Sequence, residues 1–167
     1  MNRAGGNAAP ATHGGSITYT LTGNLTGTLQ DHAGHTITFA HTPFRWDVVG
    51  DIRSGTSLLG LAPVPVFEVP ARSDRIAIGH RDLSPTIPTV FAVATVPGAH
   101  PFGIAGFSER ATNHGLAWRS PRLAGYDGVS AIPSLPVSFD NAASLPTNGG
   151  DLRITTASDL HFRAVTG

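Results

Sequence analysis

The sequence contains no cysteine and no lysine, and only 13% of its residues are charged. Without cysteine the chain has no disulfide bond, no thiolate zinc site, no Cys-ligated iron–sulfur cluster and no cysteine nucleophile. The missing lysine excludes a Walker-type phosphate loop. It also excludes a protein-kinase site, although His80-Arg81-Asp82 spells the start of a kinase catalytic loop.

Charge and long hydrophobic runs are equally scarce. Eleven arginines balance eleven acidic residues, so the formal net charge is zero. Nucleic-acid binding normally needs a basic stripe that displaces counterions, so we expect no nucleic-acid partner. No window approaches the about 18 apolar residues of a membrane helix, so no membrane span is expected. Residues 1–15 lack a hydrophobic leader segment, so we expect no signal peptide in this chain.

Glycine and proline are plentiful, with 20 and 13 residues. That composition favours many short strands joined by tight turns. The clearest strand pattern lies in residues 16–51, where apolar residues alternate with threonine. A period of two predicts a strand with one buried face. The residues on that face are Ile17, Tyr19, Leu21, Leu25 and Leu29.

A polar turn at residues 30–34 predicts that a second strand returns beside the first, making a hairpin. The second strand places Trp46 in the core. Its buried parity changes between Phe39 and Phe44, and such a change needs one extra residue. We therefore expect a bulge near Thr42-Pro43, because proline cannot donate to a β-ladder.

Similar patterns along the chain predict about nine or ten strands. The expected fold is all-β, an antiparallel β-sandwich of the jelly-roll kind. Residues 1–15 are small and polar and are expected to form a flexible N-terminal arm, which leaves residues 16–167 as a single β-sandwich domain. The closing residues 151–166 resemble the opening hairpin in character and should frame the same sandwich. Strand periodicity fails over residues 108–126, which predicts a long surface loop or a helical turn.

Two groups of residues are candidate metal ligands. Histidines near the first turn could bind Zn²⁺ or Cu²⁺, the alternative being a solvated loop. Scattered aspartates offer oxygen ligands for Ca²⁺, the alternative being turn residues that bond their own backbone. The first group is Asp31, His32, His35 and His41, and the second is Asp47, Asp51, Asp74 and Asp82. No cofactor is required by any motif.

Trp118 is the candidate ligand-binding aromatic, because it lies in the irregular stretch beside Arg119 and Arg122. A sugar ring could stack on the indole while its hydroxyl groups meet the guanidinium groups. The alternative is that Trp118 anchors the loop. No catalytic residues are predicted, because no nucleophile elbow or paired carboxylate motif is present.

Both ends of the chain resemble a known group of proteins. The opening contains ITYTLTGNLTGTL and TPFRWDVVGD, and the closing part contains Tyr126-Asp127-Gly128 and the final strand from Ser158 to Ala164. These segments are similar to the β-domain of bacterial exported proteins of the PEP-CTERM sorting-tail type. We expect neither the leader nor the tail of that group in this chain. The resemblance implies a secreted or cell-surface protein in a polysaccharide-rich setting.

Three functions follow as hypotheses. The first is a non-catalytic structural or assembly protein of the bacterial cell surface or extracellular matrix. Its partner would be a second copy, joined through sheet edges and the N-terminal arm. The second is a carbohydrate-binding module that uses the loop at residues 108–126 to bind polysaccharide. The third is a hydrolase on a β-sandwich scaffold, which would need two carboxylates about 5–10 Å apart.

Overall fold

The computed structural model describes residues 15–58, 65–109 and 115–167. These residues form eleven strands and two short 3-10 turns, at Ile52–Ser54 and Pro121–Leu123. The strands are β1 Ser16–Gln30, β2 Thr36–Asp51, β3 Thr56–Leu58, β4 Val66–Ile78, β5 Arg81–Leu83, β6 Thr89–Val96, β7 Phe102–Glu109, β8 Gly115–Ser120, β9 Ile132–Ala142, β10 Leu145–Thr147 and β11 Gly150–Thr166. The flexible arm predicted for residues 1–15 lies, apart from Gly15, outside the described residues. Within the described part of the chain, no helix is long and apolar enough to cross a membrane.

The sheet closes into an eight-stranded antiparallel barrel with three extra strands. The order around the barrel is β1, β2, β4, β6, β7, β8, β9 and β11, and β11 pairs again with β1. The extra strands are β3 and β5, which pair with β4, and β10, which pairs with β11. The predicted β-sandwich or jelly roll is therefore wrong, and the all-β antiparallel character is confirmed.

Strand β4 shows why two separate layers do not form. Its first residues, from Val66 to Pro70, pair with β6, whereas its later residues pair with β2. Strand β9 likewise pairs with β11 up to Val137 and with β8 from Ser138. Each strand passes from one side of the molecule to the other, so the sheet stays continuous and closes, and closure pairs its strands along most of their length.

The opening hairpin is confirmed, and so is its bulge. Thr42 pairs with Leu25, whereas Phe39 pairs with Gly27, so the second strand carries an extra residue just before the predicted position. His41 takes a φ of 46°, a left-handed conformation that is uncommon for a residue other than glycine. The bulge changes which residues face inward along β2, and both Phe39 and Phe44 are buried.

The prediction of a long surface loop over residues 108–126 is wrong at residues 108–109 and 115–120, which are strand, whereas the predicted alternative of a helical turn is met by the 3-10 turn at Pro121–Leu123. Residues 110–114 lie outside the described residues. Strand β7 continues to Glu109, β8 begins at Gly115, and the 3-10 turn follows β8 directly. In β8 the buried residues Leu116 and Trp118 alternate with outward residues. The strand is short and its outward neighbour Ala117 is apolar, so the alternation was too weak to recognise.

Aromatic side chains fill the interior of the barrel. The fully buried rings are Tyr19, Trp46, Phe91, Phe107, Trp118 and Phe162. Phe91 lies at the centre, stacked on Tyr19 with a centroid distance of 3.9 Å and on Phe162 at 5.7 Å. The predicted core position of Trp46 is confirmed. The interior is a packed core rather than an open ligand cavity.

Both ends of the barrel are covered. At one end Leu123 is fully buried, and the Tyr19 hydroxyl donates a hydrogen bond of 2.5 Å to the Gly128 carbonyl. At the other end the segment after β5 is joined to β10 by a bridge between Pro85 and Thr147. Any ligand must therefore bind on the outer surface or where these covers meet the barrel wall.

Candidate functional site

Asp74 is a carboxylate on the inner face of β4. It shares the parity of the buried Ile76, so its side chain points toward the core. The Trp46 indole Nε1 donates a hydrogen bond of 2.5 Å to one carboxylate oxygen, and the Thr89 hydroxyl donates to the other. Burial raises the pKa of Asp74 above its usual range, and these two hydrogen bonds only partly offset that rise. A carboxyl with a raised pKa beside a cavity is a functional-site candidate.

A cavity of about 330 Å³ lies against Asp74, and we call it the Asp74 cavity. It forms where β4 changes partners and the segment between β5 and β6 crosses over the opening. Proline at two positions of that segment restricts its backbone. The lining residues are Ala71, Arg72, Ser73, Asp74, Pro85, Thr86, Ile87, Pro88 and Thr89.

Arg72 is the charged donor of this cavity. Its Nη2 donates to Asp51, a carboxylate that also accepts from Arg53. Half of the Arg72 side chain is exposed, so its other N–H groups face solvent or the cavity. The cavity thus combines a carboxylate, a guanidinium group, hydroxyl groups and an apolar wall.

The raised pKa of Asp74 predicts a measurable pH dependence. A carboxyl whose pKa is higher in the folded than in the unfolded state binds its proton more tightly when folded. Its contribution to stability is full below the ordinary pKa of about 3.9 and is lost as the pH rises through the folded pKa. Asp74→Asn, which stays uncharged, should therefore gain stability relative to the wild type between about pH 4 and pH 7. Urea unfolding at both pH values measures this, and a difference that does not change with pH would contradict it.

A second cavity, of about 340 Å³, is a groove on the outer surface of β6, β7 and β8. Its floor is a row of small outward residues that are cross-strand neighbours, Ala92, Gly106 and Ala117. Asp140 and Asn141 lie at its β9 rim. The groove presents small apolar groups and few convergent polar groups, so it offers a ligand fewer polar partners than the Asp74 cavity does.

A third cavity, of about 350 Å³, lies beside Tyr126 and Asp127 at the Leu123 end of the barrel. The Tyr126 hydroxyl donates to the Ser130 carbonyl at 2.8 Å, and burial raises its pKa. Asp127 accepts hydrogen bonds from the backbone N–H groups of Val129 and Ser130, and hydrogen bonds from Ser130 hold its pKa below the usual range. These polar groups are hydrogen-bonded within the segment that covers this end of the barrel, so their main partners are groups of that segment.

The histidine cluster predicted to bind Zn²⁺ or Cu²⁺ is only partly brought together. Asp31 accepts from the backbone N–H of His35 and lies 3.2 Å from its Nδ1. His32 instead faces the Asn148 carbonyl at 3.3 Å, and His41 lies in the bulge of β2. Among the described residues no group of three or more His, Cys, Asp or Glu side chains could hold a metal ion.

The four aspartates predicted as Ca²⁺ ligands have separate partners. Asp47 accepts from Arg45, Asp51 from Arg72 and Asp82 from Arg75. Asp74 has the uncharged donors Trp46 and Thr89. Their arrangement is a set of local ion pairs and one partly buried carboxyl rather than a shared cation cage.

Trp118 lies in the barrel core and not on a loop. It is fully buried and packs against Phe107 at a centroid distance of 5.0 Å. A ring at that depth has no exposed face for a sugar. Arg119 and Arg122 are on the outer surface, and Arg119 lies 4.0 Å from Asp140. Their role as ligand-binding residues stays a prediction.

The sequence contained one signal for the Asp74 cavity that the sequence interpretation missed. Asp74 has the same parity as Ile76 and Ile78, so a carboxylate occupies an inward position of a strand. A charged residue at such a position needs a buried partner or a special role.

Comparison with known proteins finds no match among family models, curated proteins or solved structures.

Proposed function

We propose that this chain is a non-catalytic structural protein of the bacterial cell surface or extracellular matrix, and that it assembles strand to strand with copies of itself. The observation that carries the proposal is an unpaired strand edge in the first half of β2. Strand β4 covers β2 only from Phe44 to Gly50. Among the described residues, no strand pairs with that side of β2 at residues 36–42.

The hydrogen-bond pattern shows which groups this edge presents. The Asp31 amide donates to the His35 carbonyl at 2.9 Å, so this pair bonds within the hairpin. Antiparallel pairs alternate between bonded and non-bonded. Thr36 and Thr38 therefore direct their backbone N–H and C=O groups away from β1, toward the open edge. An open row of such groups is a template for an added strand.

The edge also suits pairing with its own copy. Residues 36–42 carry no formal charge when His41 is neutral, so two edges meet without repulsion. Antiparallel pairing about a two-fold axis would let each edge bond the same segment of the other copy. The bulge at His41 limits the length of the added pairing, as bulges do at sheet edges. Secretion and a surface location are supported by the resemblance to exported bacterial proteins.

Thr38→Pro tests this proposal. Proline removes the outward N–H of Thr38 but no hydrogen bond to β1, because Thr38 belongs to a non-bonded pair. By symmetry a dimer loses the donor from both copies, so we expect the dissociation constant of self-association to rise by about 10-fold or more. Light scattering across a concentration series measures it.

Thr38→Val is the matched control, because it keeps the backbone donor and the β-branched shape. It should associate like the wild type. A wild type that is monomeric at all concentrations, or a Thr38→Pro variant that associates as well as Thr38→Val, would contradict assembly through this edge.

A further inference from the structure

The Asp74 cavity places a hydrogen-bond acceptor and a donor on its walls. Each oxygen of Asp74 accepts one hydrogen bond within the protein, and a carboxylate oxygen has room for a second. Arg72 uses Nη2 on Asp51 and keeps further N–H groups. A hydroxyl group, which both donates and accepts, matches this pair of side chains.

The opposite wall of the cavity is apolar. Pro85, Ile87 and Pro88 line it, and Ile87 is 42% exposed, which is unusual for a large hydrophobic residue in the described part of this chain. The C–H face of a sugar ring is apolar while its rim carries hydroxyl groups. A wall of proline and isoleucine beside a carboxylate and a guanidinium group complements both parts.

The charged groups and the volume of the Asp74 cavity restrict the class of ligand that can bind there. A cation attracted by Asp74 would be repelled by Arg72, whereas an anion attracted by Arg72 would be repelled by Asp74. A neutral ligand satisfies both groups. The volume of about 330 Å³ is at the small end of ligand sites, which suits one ring rather than a chain.

We propose that the Asp74 cavity binds a neutral polyhydroxylated ligand of one sugar ring, with Asp74 accepting from a ligand hydroxyl and Arg72 donating to one. This site is separate from the β2 edge and goes beyond the assembly function. The ligand proposal and the assembly proposal can be contradicted independently, because neither Arg72 nor Asp74 belongs to residues 36–42.

The test is an NMR titration of the full chain with the methyl glycosides of glucose, galactose and mannose. We expect at least one to bind with a dissociation constant of about 1 mM, given the few heavy atoms of a single ring. Amide shifts should concentrate at residues 71–74 and 86–89. The Trp46 indole N–H signal should also move, because it bonds to Asp74, whereas the buried Trp118 indole serves as an internal reference that stays in place.

Variants separate the site from the rest of the surface. Asp74→Asn should weaken binding by about 10-fold, and Arg72→Gln by several-fold. Arg53→Gln is the matched control, because Arg53 also pairs with Asp51 but does not line the cavity. Should Asp74→Asn fail to fold, the comparison of Arg72→Gln with Arg53→Gln decides.

Two results would overturn the proposal. One is the absence of shifts at residues 71–74 and 86–89 with all three glycosides at about 50 mM. The other is binding that Arg72→Gln and Arg53→Gln weaken to the same extent, since that would assign the effect to Asp51 or to general surface charge.

Discussion

Phe91→Ala is expected to lower the free energy of unfolding by about 3–5 kcal/mol, the range for removing a fully buried aromatic side chain. Phe91 has no solvent exposure and makes contact with five other rings. These rings are Tyr19, Phe107, Trp118, Tyr126 and Phe162, with centroid distances from 3.9 to 6.5 Å. A closed barrel collapses poorly around a central void, because every wall is fixed by two neighbouring strands. Urea unfolding followed by tryptophan fluorescence measures the loss.

Two further variants show whether the effect comes from the cavity. Phe91→Leu keeps most of the volume and loses mainly the aromatic pairing, so we expect a loss of about 1–1.5 kcal/mol. Ile87→Ala removes an exposed apolar side chain and should change stability by less than about 0.5 kcal/mol. All proteins are compared at one concentration, because self-association would add to apparent stability. A loss for Phe91→Ala no larger than that for Ile87→Ala would contradict a central core role for this ring.

The sequence was sufficient to predict structure that depends on neighbours along the chain. The buried face of β1 and the bulge in β2 follow from alternation over a few residues, and the turn between the two strands follows from its polar residues. The side chain of Asp31 is likewise brought to His35 by the turn alone. These features needed no knowledge of the remaining strands.

Closure of the barrel depended on a distant pairing, which alternation does not determine. Sandwiches and barrels are built from strands with the same period of two, and they differ only in which strands pair. Tyr19 pairs with Ala164 from the other end of the chain, and β4 changes partners within one strand. No local sequence pattern indicates the pairing of β1 with β11 or the change of partner within β4.

Parity within β4 marks Asp74 as an inward carboxylate, but the partners and the cavity around it could not be predicted, for the same reason. Asp74 takes its two donors from Trp46 and Thr89, which lie 28 and 15 residues away along the chain. The cavity walls come from β4 and from the segment after β5. Trp118 was misplaced because its neighbours Ala117 and Gly115 hid the strand that carries it inward.

Gly27→Ala is expected to open the seam between β1 and β11 and to lower the free energy of unfolding by about 3 kcal/mol. A Cβ atom on Gly27 would lie 2.1 Å from the Arg153 carbonyl oxygen and 3.1 Å from the Ile154 Cα, both of them backbone atoms. Thr26 pairs with Thr156 and Gly27 with Ile154, so the seam is already irregular at this point. The backbones can separate only by giving up ladder hydrogen bonds.

The measurement is hydrogen exchange combined with urea unfolding. Protection should fall first at residues 153–157 of β11 and at their partners in β1, while β6 and β7 keep theirs. Gly34→Ala is the matched control, since Gly34 has a φ of +86° but nothing within 4 Å of the added atom. Gly34→Ala should lower the free energy of unfolding by about 1 kcal/mol, because of backbone strain alone, and should leave hydrogen-exchange protection between β1 and β11 unchanged. Equal costs for the two variants would contradict the close packing of β1 against β11. A loss of protection confined to β1 and β11 would show that the close approach at Gly27 holds these two strands together, and it is this pairing that closes the sheet into a barrel.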